Sequence, residues 1–423
     1  MEMAPLSHGQ LYILRGMERH PPDQRHNIGI TYNLDQVWTL PPGITAEGAR
    51  DALVDLAARN EVLRTTYHGI GEKRPRQVVH AAQTVELQVL RAAKGDGAAL
   101  AAATADEQCV REMDLTREFS WRAAVVLERD GSARLALCFH HIAVDLAAIE
   151  LLRQDLHGIL QGAPGVRRPS PRAVAEYQTS PGWAARDRSA TAYFDGVFQR
   201  MSRWTQSAPE GAPTESVMAT LRTGISPATM KKCAVGHATS ATGLLLAVFT
   251  RALCRLGAMI HPAVHIMSAN RFDPLFRGAI ANQAQFVPII SSGDQDDHLE
   301  VQGERLHRDS LLAYRNGCYN PDTVRALREA KHGLDAHGEP TIFFNYAENA
   351  SASPASDDLG MTELSWAPVR IAAEPGLYGY VWGGRRISLI LRASWPGFGR
   401  DRVEQALRLM HEELVSAISR RAQ

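Results

Sequence analysis

Residues 134–160 read RLALCFHHIAVDLAAIELLRQDLHGIL, and the change of pattern inside this stretch decides the fold around it. Residues 134–139 are mostly apolar, as in a buried strand, and two adjacent histidines, His140 and His141, end the run. Asp145 follows four residues after His141, and apolar residues at helical spacing begin directly after it. The stretch therefore predicts a buried strand, a short polar loop and a helix.

The two histidines lie at a strand end, where a scaffold commonly presents reactive groups. Successive side chains of an extended segment point to opposite faces, so only one of His140 and His141 can face a given cavity. Imidazole titrates near neutral pH and can take a proton from an attacking amine or hydroxyl and return it to a leaving group. We therefore expect one histidine to be available for proton transfer and the other to be structural.

Asp145 has a structural interpretation that needs no chemistry, because an aspartate before a helix caps the free N–H groups of its first turn. A metal site would need a third ligand, and the spacing H-H-x-x-x-D differs from zinc patterns such as H-E-x-x-H. We expect no metal ion at this loop.

The segments around this stretch mix strands and helices. The Asp130-Gly131 pair between two apolar runs, residues 123–127 and 134–139, predicts a β-hairpin. Helices are predicted over residues 44–59, 240–256 and 401–418, and further strands over residues 264–267, 285–290, 341–346, 377–382 and 387–393. Residues 240–256 are apolar on nearly all sides, which predicts a mostly buried helix. The last helix is predicted to pack through a stripe of apolar side chains, Val403, Leu407, Met410, Leu414 and Ile418. Helices and strands in both halves indicate an α/β or α+β lobe that occurs twice.

The chain has 423 residues, which fits two domains of about 200 residues each. Residues 161–189 are rich in Pro, Gly and Arg, which predicts an exposed connection between the lobes. We expect an N-terminal lobe over residues 1–170, carrying the two histidines, and a C-terminal lobe over residues 171–423.

The composition excludes several classes of partner. Lys and Arg total 46 and Asp and Glu total 46, so no net charge attracts nucleic acid or an anionic membrane surface. No stretch has the roughly 20 apolar residues of a membrane span, and the amino terminus lacks a basic leader, so we expect a cytoplasmic protein. Five scattered cysteines without a C-x-x-C pair suggest neither a disulfide framework nor a cysteine zinc site.

Residues 138–145, CFHHIAVD, resemble the H-H-x-x-x-D-G core motif of condensation domains of nonribosomal peptide synthetases, members of the chloramphenicol acetyltransferase-like superfamily. Other segments resemble further motifs of that family in the same order. They are residues 6–12 (S-x-x-Q-x-x-L/W), 59–67 (R-H-E-x-L-R-T-x-F), 113–123 (the F-D-L lead-in to the histidine strand), 268–271 (the arginine segment), 280–289 (I-G-x-F-V-N-T-L) and 343–346 (F-N-Y-Q-N). The resemblance covers nearly the whole chain.

The resemblance implies two chloramphenicol-acetyltransferase-like lobes in a V-shaped arrangement, with an active-site tunnel between them. It implies that His141 is the catalytic residue and that His140 supports it. It further implies that Asp145 forms an ion pair with Arg271 across the lobe junction and holds the loop in shape. No tightly bound cofactor is implied, because the substrate arrives on the phosphopantetheine of a carrier protein.

The function implied by the resemblance is a stand-alone condensation enzyme. It transfers an acyl group from a carrier-protein thioester to an amine or hydroxyl acceptor, either free or carrier-bound, in a specialised-metabolite pathway, with His141 as general base or positioning residue. Two alternatives stay open at this point. One is a catalytically inactive, condensation-like docking protein, and the other is an acyl-CoA-dependent acyltransferase of the same superfamily.

The sequence departs from the family pattern at three places. Leu146 stands where the core motif has Gly, Asn60 replaces the His of R-H-E, and residues 280–285 read IANQAQ in place of I-G-x-F-V-N. A leucine side chain at position 146 is bulkier than the glycine of the motif, so Leu146 is a candidate for narrowing the substrate channel.

Carrier proteins of this family are acidic, so a cluster of arginines is a candidate docking surface. Arg15, Arg19 and Arg25 are the candidates, and solvated surface is the alternative interpretation. The chain begins about six residues before the first motif and ends with a predicted helix, from which we expect a free-standing protein that meets its carrier in trans, with excision from a longer synthetase as the alternative.

Overall fold

A computed structural model gives the coordinates of the protein. It describes residues 2–20, 29–82, 84–201, 216–257, 263–290, 298–332, 341–349, 355–369, 376–395 and 397–420. The helices are α1 His8–Glu18, α2 Ala46–Arg59, α3 Gly97–Cys109, α4 Leu146–Leu160, α5 Pro171–Gln178, α6 Ala184–Met201, α7 Pro227–Gly236, α8 Ala241–Arg255, α9 Pro274–Arg277, α10 Leu299–Arg315, α11 Pro321–His332 and α12 Arg400–Arg420. The strands are β1 Glu2–Pro5, β2 Asn33–Thr39, β3 Thr65–His68, β4 Arg76–Val79, β5 Gln88–Ala92, β6 Trp121–Glu128, β7 Ala133–His140, β8 Val217–Thr223, β9 Ala263–Ser268, β10 Gln285–Ile290, β11 Thr341–Glu348, β12 Thr362–Ala367, β13 Gly376–Gly383 and β14 Ile387–Ala393.

The chain divides into two compact units. The first comprises residues 1–188, 269–285 and 318–321, and the second comprises residues 189–268, 286–317 and 322–423. The first unit extends past the expected boundary at residue 170. It also takes back a segment, residues 269–285, from the second half of the sequence.

The first unit contains a four-stranded sheet in the order β2-β7-β6-β5. The predicted hairpin is present, since β6 and β7 pair antiparallel and Gly131 in their turn has φ +84°, a value that favours glycine. Helices α2 and α4 cover one face of this sheet, and the alanines of α3 pack on the other. Coverage of both faces explains the continuous apolar run at residues 135–139. A smaller sheet, β1-β4-β3, completes the unit.

The second unit is built on a seven-stranded sheet in the order β10-β9-β11-β13-β14-β8-β12. Strand β11 runs parallel to β9 and β13, and β13, β14, β8 and β12 are successively antiparallel. The predicted strands are therefore confirmed within a residue or two.

Helix α8 is the buried helix of the second unit, as predicted. Leu244 through Phe249 are all inaccessible, and the Phe249 ring lies 5.3 Å from that of Phe344 on β11. Gly379 on β13 makes room for this ring, because a Cβ there would lie 2.6 Å from it. Helix α12 buries Val403, Leu407, Met410 and Leu414, which confirms the stripe predicted for the last helix.

The prediction that residues 161–189 form an exposed connection was wrong for residues 171–189, which are mostly helical, whereas residues 161–167 are exposed and irregular. Ser170 caps α5, and Pro171 occupies its first turn, where proline needs no N–H partner. Val174 and Trp183 are fully buried in a cluster with Phe276. The proline content of the segment therefore marks a helix start within the first unit.

No described helix is by itself long and apolar enough to cross a membrane. Helices α7 and α8, which are bent by 88° relative to each other, meet the length and composition limits only when they are taken together.

Candidate active site

The loop between β7 and α4 carries the paired histidines. His140 is the last residue of β7 and pairs with Asn33 of β2. The backbone N–H of His141 donates to the carbonyl oxygen of Tyr32 at 2.7 Å, and that of Ala143 donates to the carbonyl of His140 at 3.0 Å. These bonds turn the chain sharply at the strand end, so the two imidazoles occupy different environments.

His140 is buried and its ring supports the turn. Its Nδ1 accepts a hydrogen bond from the backbone N–H of Ile142 at 3.1 Å, which places the ring proton on Nε2. Burial, with a smaller effect of His141, lowers the pKa of His140 to about 3. The ring is therefore neutral at physiological pH. Its hydrogen bond to the Ile142 N–H holds the backbone of the loop in place.

His141 is half-buried and has the opposite tautomer. Its Nδ1 lies 2.8 Å from the carbonyl oxygen of Val144, and a carbonyl can only accept, so Nδ1 carries the proton. Nε2 then has a free lone pair, and it has no hydrogen bond to any described residue. Burial lowers the pKa of His141, against the opposing effects of Asp145 and the Val144 carbonyl. The neutral ring presents a proton acceptor.

Asp145 is the N-cap of α4 and the acceptor of an ion pair at the same time. Its Oδ1 accepts from the backbone N–H of Ala148 at 2.8 Å and lies 2.6 Å from a terminal nitrogen of Arg271. Its Oδ2 accepts from the backbone N–H of Gln283 at 3.0 Å. The Asp145 side chain is only 6% exposed, so both oxygens are committed to structure.

Arg271 donates to three backbone carbonyls besides Asp145. They are those of Phe276 at 3.0 Å, Ala279 at 2.9 Å and Ala281 at 3.2 Å. The ion pair implied by the resemblance is thus present, but both partners belong to the first unit. Its placement across the lobe junction is corrected accordingly, because residues 269–285 return to the unit that holds the histidines.

The return segment, residues 269–285, also bonds to the loop through its backbone. The N–H of Asn282 donates to the carbonyl of Ala143 at 2.9 Å, and its side-chain amide donates to the carbonyl of Gly9 at 2.9 Å. A Cβ on Gly9 would lie 2.3 Å from the Asn282 carbonyl oxygen, so only glycine fits there. Asn270 has φ +52°, a left-handed value that asparagine tolerates better than most residues.

Sequence reasoning did not identify these supporting residues. Gly9, Asn282 and Gln283 lie in segments that resemble family motifs, but their roles depend on backbone contacts between segments far apart in sequence. The only signal was the departure from the family pattern at residues 280–285.

Leu146, in place of the motif glycine, is the first residue of α4 and is 47% exposed. Its backbone does not have the positive φ that would favour glycine. The leucine therefore changes the surface beside Asp145 without straining the chain.

Other motif positions have structural roles. Ser7 and Gln10 form a reciprocal capping box at the start of α1. Asn60 ends α2, and its side-chain amide donates to the Leu56 carbonyl at 3.0 Å.

Arg15 is only 7% exposed and pairs with Glu18 at 2.6 Å, which removes it from the candidate docking surface.

Of the remaining docking candidates, Arg19 is exposed, and Arg25 lies outside the described residues. Within the described ranges, no three His, Cys, Asp or Glu side chains are grouped as they would be to hold a metal ion.

Comparison with known proteins identifies the family of the chain. Residues 1–360 match the model of the condensation domain. The chain therefore belongs to the condensation domain family. It is 26% identical over 338 residues to cyclosporin synthetase simA of Tolypocladium inflatum, a match that covers 75% of this chain and 2% of that protein. The chain thus spans a small fraction of this relative.

Two solved structures share the fold. The condensation domain from the Monacolin K polyketide synthase MokA has a TM-score of 0.75 at 15% identity, over 99% of this chain and 97% of that one. The SgcC5 protein from Streptomyces globisporus has a TM-score of 0.73 at 17% identity, over 98% of this chain and 99% of that one. The mixed helix and sheet architecture is the chloramphenicol-acetyltransferase-like two-lobe fold of condensation domains, as expected.

Condensation domains form amide or ester bonds. Membership of the family supports a condensation or acyl-transfer role for this chain.

Proposed function

We propose that this protein is a condensation enzyme that transfers an acyl group from a carrier-protein thioester to an amine, or less readily a hydroxyl, acceptor. The donor is bound through the phosphopantetheine of the carrier, which acts as part of the substrate, and the protein itself needs no tightly bound cofactor. The observation that carries the proposal is the state of His141: Nδ1 is tied to the Val144 carbonyl, and Nε2 is left as an acceptor in a family of bond-forming domains.

In the proposed reaction, Nε2 of His141 accepts the proton of the attacking amine as its nitrogen bonds to the thioester carbonyl carbon. The carbonyl π electrons move to oxygen and give a tetrahedral intermediate. When that intermediate collapses, the carbon–sulfur bond breaks, and the imidazolium returns the proton to the departing thiolate. The products are an amide and the free carrier thiol. General base catalysis of this kind is worth roughly 10²- to 10⁴-fold.

The remaining residues of the loop position the base. The Val144 carbonyl fixes the tautomer of His141, and Asp145 holds the loop through Arg271 and two backbone N–H groups. Both carboxylate oxygens of Asp145 are occupied, which supports a positioning role for Asp145 over one in proton transfer.

The decisive experiment measures product formation from carrier-loaded acyl donors and a panel of amines and alcohols, using the wild-type chain and His141→Ala. We expect a loss of at least about 10²-fold in kcat with an unchanged thermal midpoint. His157→Ala is the matched control, because His157 is an exposed histidine on α4, the helix that follows the loop. Unchanged turnover in His141→Ala would remove this residue from the mechanism.

The same assay separates the alternatives. Carrier binding without turnover for any acceptor identifies a docking protein. Turnover with acyl-CoA that matches or exceeds turnover with the carrier thioester identifies an acyl-CoA-dependent transferase.

The pH dependence of the reaction follows from the protonation state of His141. The base must be neutral, and burial lowers the pKa of His141 below 6.5. We expect kcat/KM to fall on the acid side with a midpoint below 6.5, and a midpoint above that value would contradict the assignment.

We further propose that Leu146 limits the size of the group that approaches His141. It is an exposed apolar side chain directly after Asp145, at the position where the family motif has glycine. In Leu146→Gly, bulky acceptors should gain in kcat/KM relative to small ones. A uniform change across acceptors would contradict a role in selectivity.

A further inference from the structure

Two cysteines of the first unit lie unusually close together. The sulfur atoms of Cys109 and Cys138 are 2.7 Å apart, and both residues are reduced and buried. This separation is at the short end of the range for N–H···O hydrogen bonds, about 2.7–3.2 Å, although sulfur is a larger atom than nitrogen or oxygen. A disulfide has an S–S length of about 2.05 Å. A small movement of the two sulfur atoms towards each other would therefore bring them to bonding distance.

The pair connects the end of helix α3 to strand β7. Cys109 is the last residue of α3, and Cys138 lies in β7, two residues before His140. Both belong to an apolar cluster that includes Tyr67 and Ile142, the latter being the residue whose N–H bonds to His140. A covalent link here would fasten α3 to the strand that leads into the histidine loop.

We propose that Cys109 and Cys138 form a redox-active pair that closes to an intramolecular disulfide. This inference is independent of the proposed function, since it concerns the chemistry of the scaffold. It also goes beyond the cysteine spacing in the sequence, which suggested no disulfide framework, because residues 109 and 138 are brought together only by the packing of α3 on the sheet.

The reaction needs a two-electron oxidant, for which a low-molecular-weight disulfide such as oxidised glutathione suffices. One protein thiolate attacks a glutathione sulfur, forms a mixed disulfide and releases one glutathione thiolate. The second protein thiolate then attacks the protein sulfur of the mixed disulfide and releases the second glutathione. In sum, two protein thiols lose two protons and two electrons, and one oxidised glutathione becomes two reduced molecules.

Cys109 is the entry point for the oxidant. It is 9% exposed, whereas Cys138 is fully inaccessible. The neighbouring Cys138 thiol and burial both raise the pKa of Cys109, so the attacking thiolate is scarce at neutral pH. Closure in the folded protein should therefore be slow and should accelerate as the pH rises.

The test is an intact-mass measurement on the full chain. The reduced protein is incubated with oxidised glutathione at pH 8, then denatured and labelled with N-ethylmaleimide. We expect a mass loss of about 2 Da before labelling and three adducts in place of five. A non-reducing tryptic digest should contain residues 95–111 linked to residues 135–153.

Burial slows disulfide formation in the folded protein even if the two cysteines are able to pair. A second experiment therefore starts from the denatured, reduced chain. Refolding in a glutathione redox buffer allows the bond to close before the core is sealed. The disulfide should raise the thermal midpoint by about 5 °C relative to the reduced chain. Five reactive thiols after both arms, or a linked peptide that lacks residue 109 or 138, would overturn the proposal.

Single substitutions locate the bond. Cys109→Ala should show four adducts both before and after oxidation. The matched control is Cys254→Ala, which removes a half-buried cysteine of the second unit. It should still form the link and show two adducts of four. Loss of the link in Cys254→Ala but not in Cys109→Ala would contradict the assignment.

Discussion

Each unit buries a carboxylate against arginine, and the two arrangements differ in what they hold. In the first unit, Asp145 and Arg271 have side chains that are 6% and 12% exposed, and together they bond to five backbone groups. In the second unit, Glu413 of α12 contacts the side chains of Arg255 at 2.8 Å and Arg251 at 3.6 Å, both on α8. Arg255 is 51% exposed.

The comparison indicates that the contribution of a buried ion pair to stability depends on how much backbone the pair holds in place. Asp145 and Arg271 fix the shape of two irregular segments that have no regular ladder of their own. Glu413 joins two regular helices, α8 and α12, and among the described residues the ion pairs of its carboxylate are with arginine side chains. Removal of charge should therefore unfold a loop in the first unit and only loosen a helix contact in the second.

The largest effect is expected for Asp145→Ala. The substitution leaves the buried Arg271 charged without its carboxylate partner, so that only backbone carbonyls accept from it. It also removes the N-cap of α4. We expect the free energy of unfolding of the first unit to fall by about 3–5 kcal/mol. Urea denaturation measures this loss, and hydrogen exchange of residues 269–285 should rise with it. A loss below about 1 kcal/mol would contradict the comparison.

Asp145→Asn sharpens the interpretation, because asparagine is also a good helix cap. This variant keeps the hydrogen bond to the Ala148 N–H through its amide oxygen, but it loses the charge and the acceptor for the Gln283 N–H, because an amide NH2 group only donates. We expect a smaller loss, about 2 kcal/mol, in the same urea experiment. Equal losses in the two Asp145 variants would show that capping contributes nothing beside the ion pair.

Acid should destabilise the first unit through its buried histidines. Burial lowers the pKa of His140 to about 3 and that of His8 to about 4, while both titrate near 6.5 in the unfolded chain. The unfolded state therefore binds more protons between these values. Each histidine contributes stability that is complete above pH 6.5 and is lost as the pH falls towards its folded pKa.

The slope is about 1.4 kcal/mol per pH unit for each histidine in that window. His8→Leu removes one of the two groups away from the loop, so its unfolding free energy should depend less steeply on pH between 6 and 5. A slope equal to that of the wild type would mean that His8 is protonated in the folded protein.

Glu413→Gln should have the smallest effect. The nearer partner, Arg255, is half-exposed and can be solvated when the charge is removed, and the glutamine oxygen can still accept a hydrogen bond from Arg251 or Arg255, so we expect a loss of about 1 kcal/mol or less. Hydrogen exchange of the first unit should not change. A loss as large as that of Asp145→Asn would show that side-chain ion pairs between helices matter as much as those that hold backbone.

Much of the regular structure could be predicted from local pattern alone. The buried run at residues 240–256, the stripe on α12 and the Asp130-Gly131 turn are each determined by periodicity or turn chemistry within a few residues. The prediction failed at residues 171–189 for the same reason. Proline and glycine content was read as exposure, whereas Pro171 begins a helix and Trp183 supplies a buried anchor.

The candidate site could be predicted only in part. The histidine pair and Asp145 stand together in sequence, and their chemistry is evident from residue type. The tautomer of His141 depends on a carbonyl three residues away, and the supports from Asn282 and Gln283 come from more than 130 residues further along the chain. Such contacts are set by tertiary packing, which leaves no local periodic signal.

The return of residues 269–285 to the first unit has a practical meaning for recombination. In a chimera that joins the first 188 residues of this protein to the second half of a relative, the relative would supply the segment that bonds to the histidine loop. Such exchanges should succeed only when the incoming half brings a compatible equivalent of Arg271 and Asn282, or when this segment is transplanted with the loop it secures.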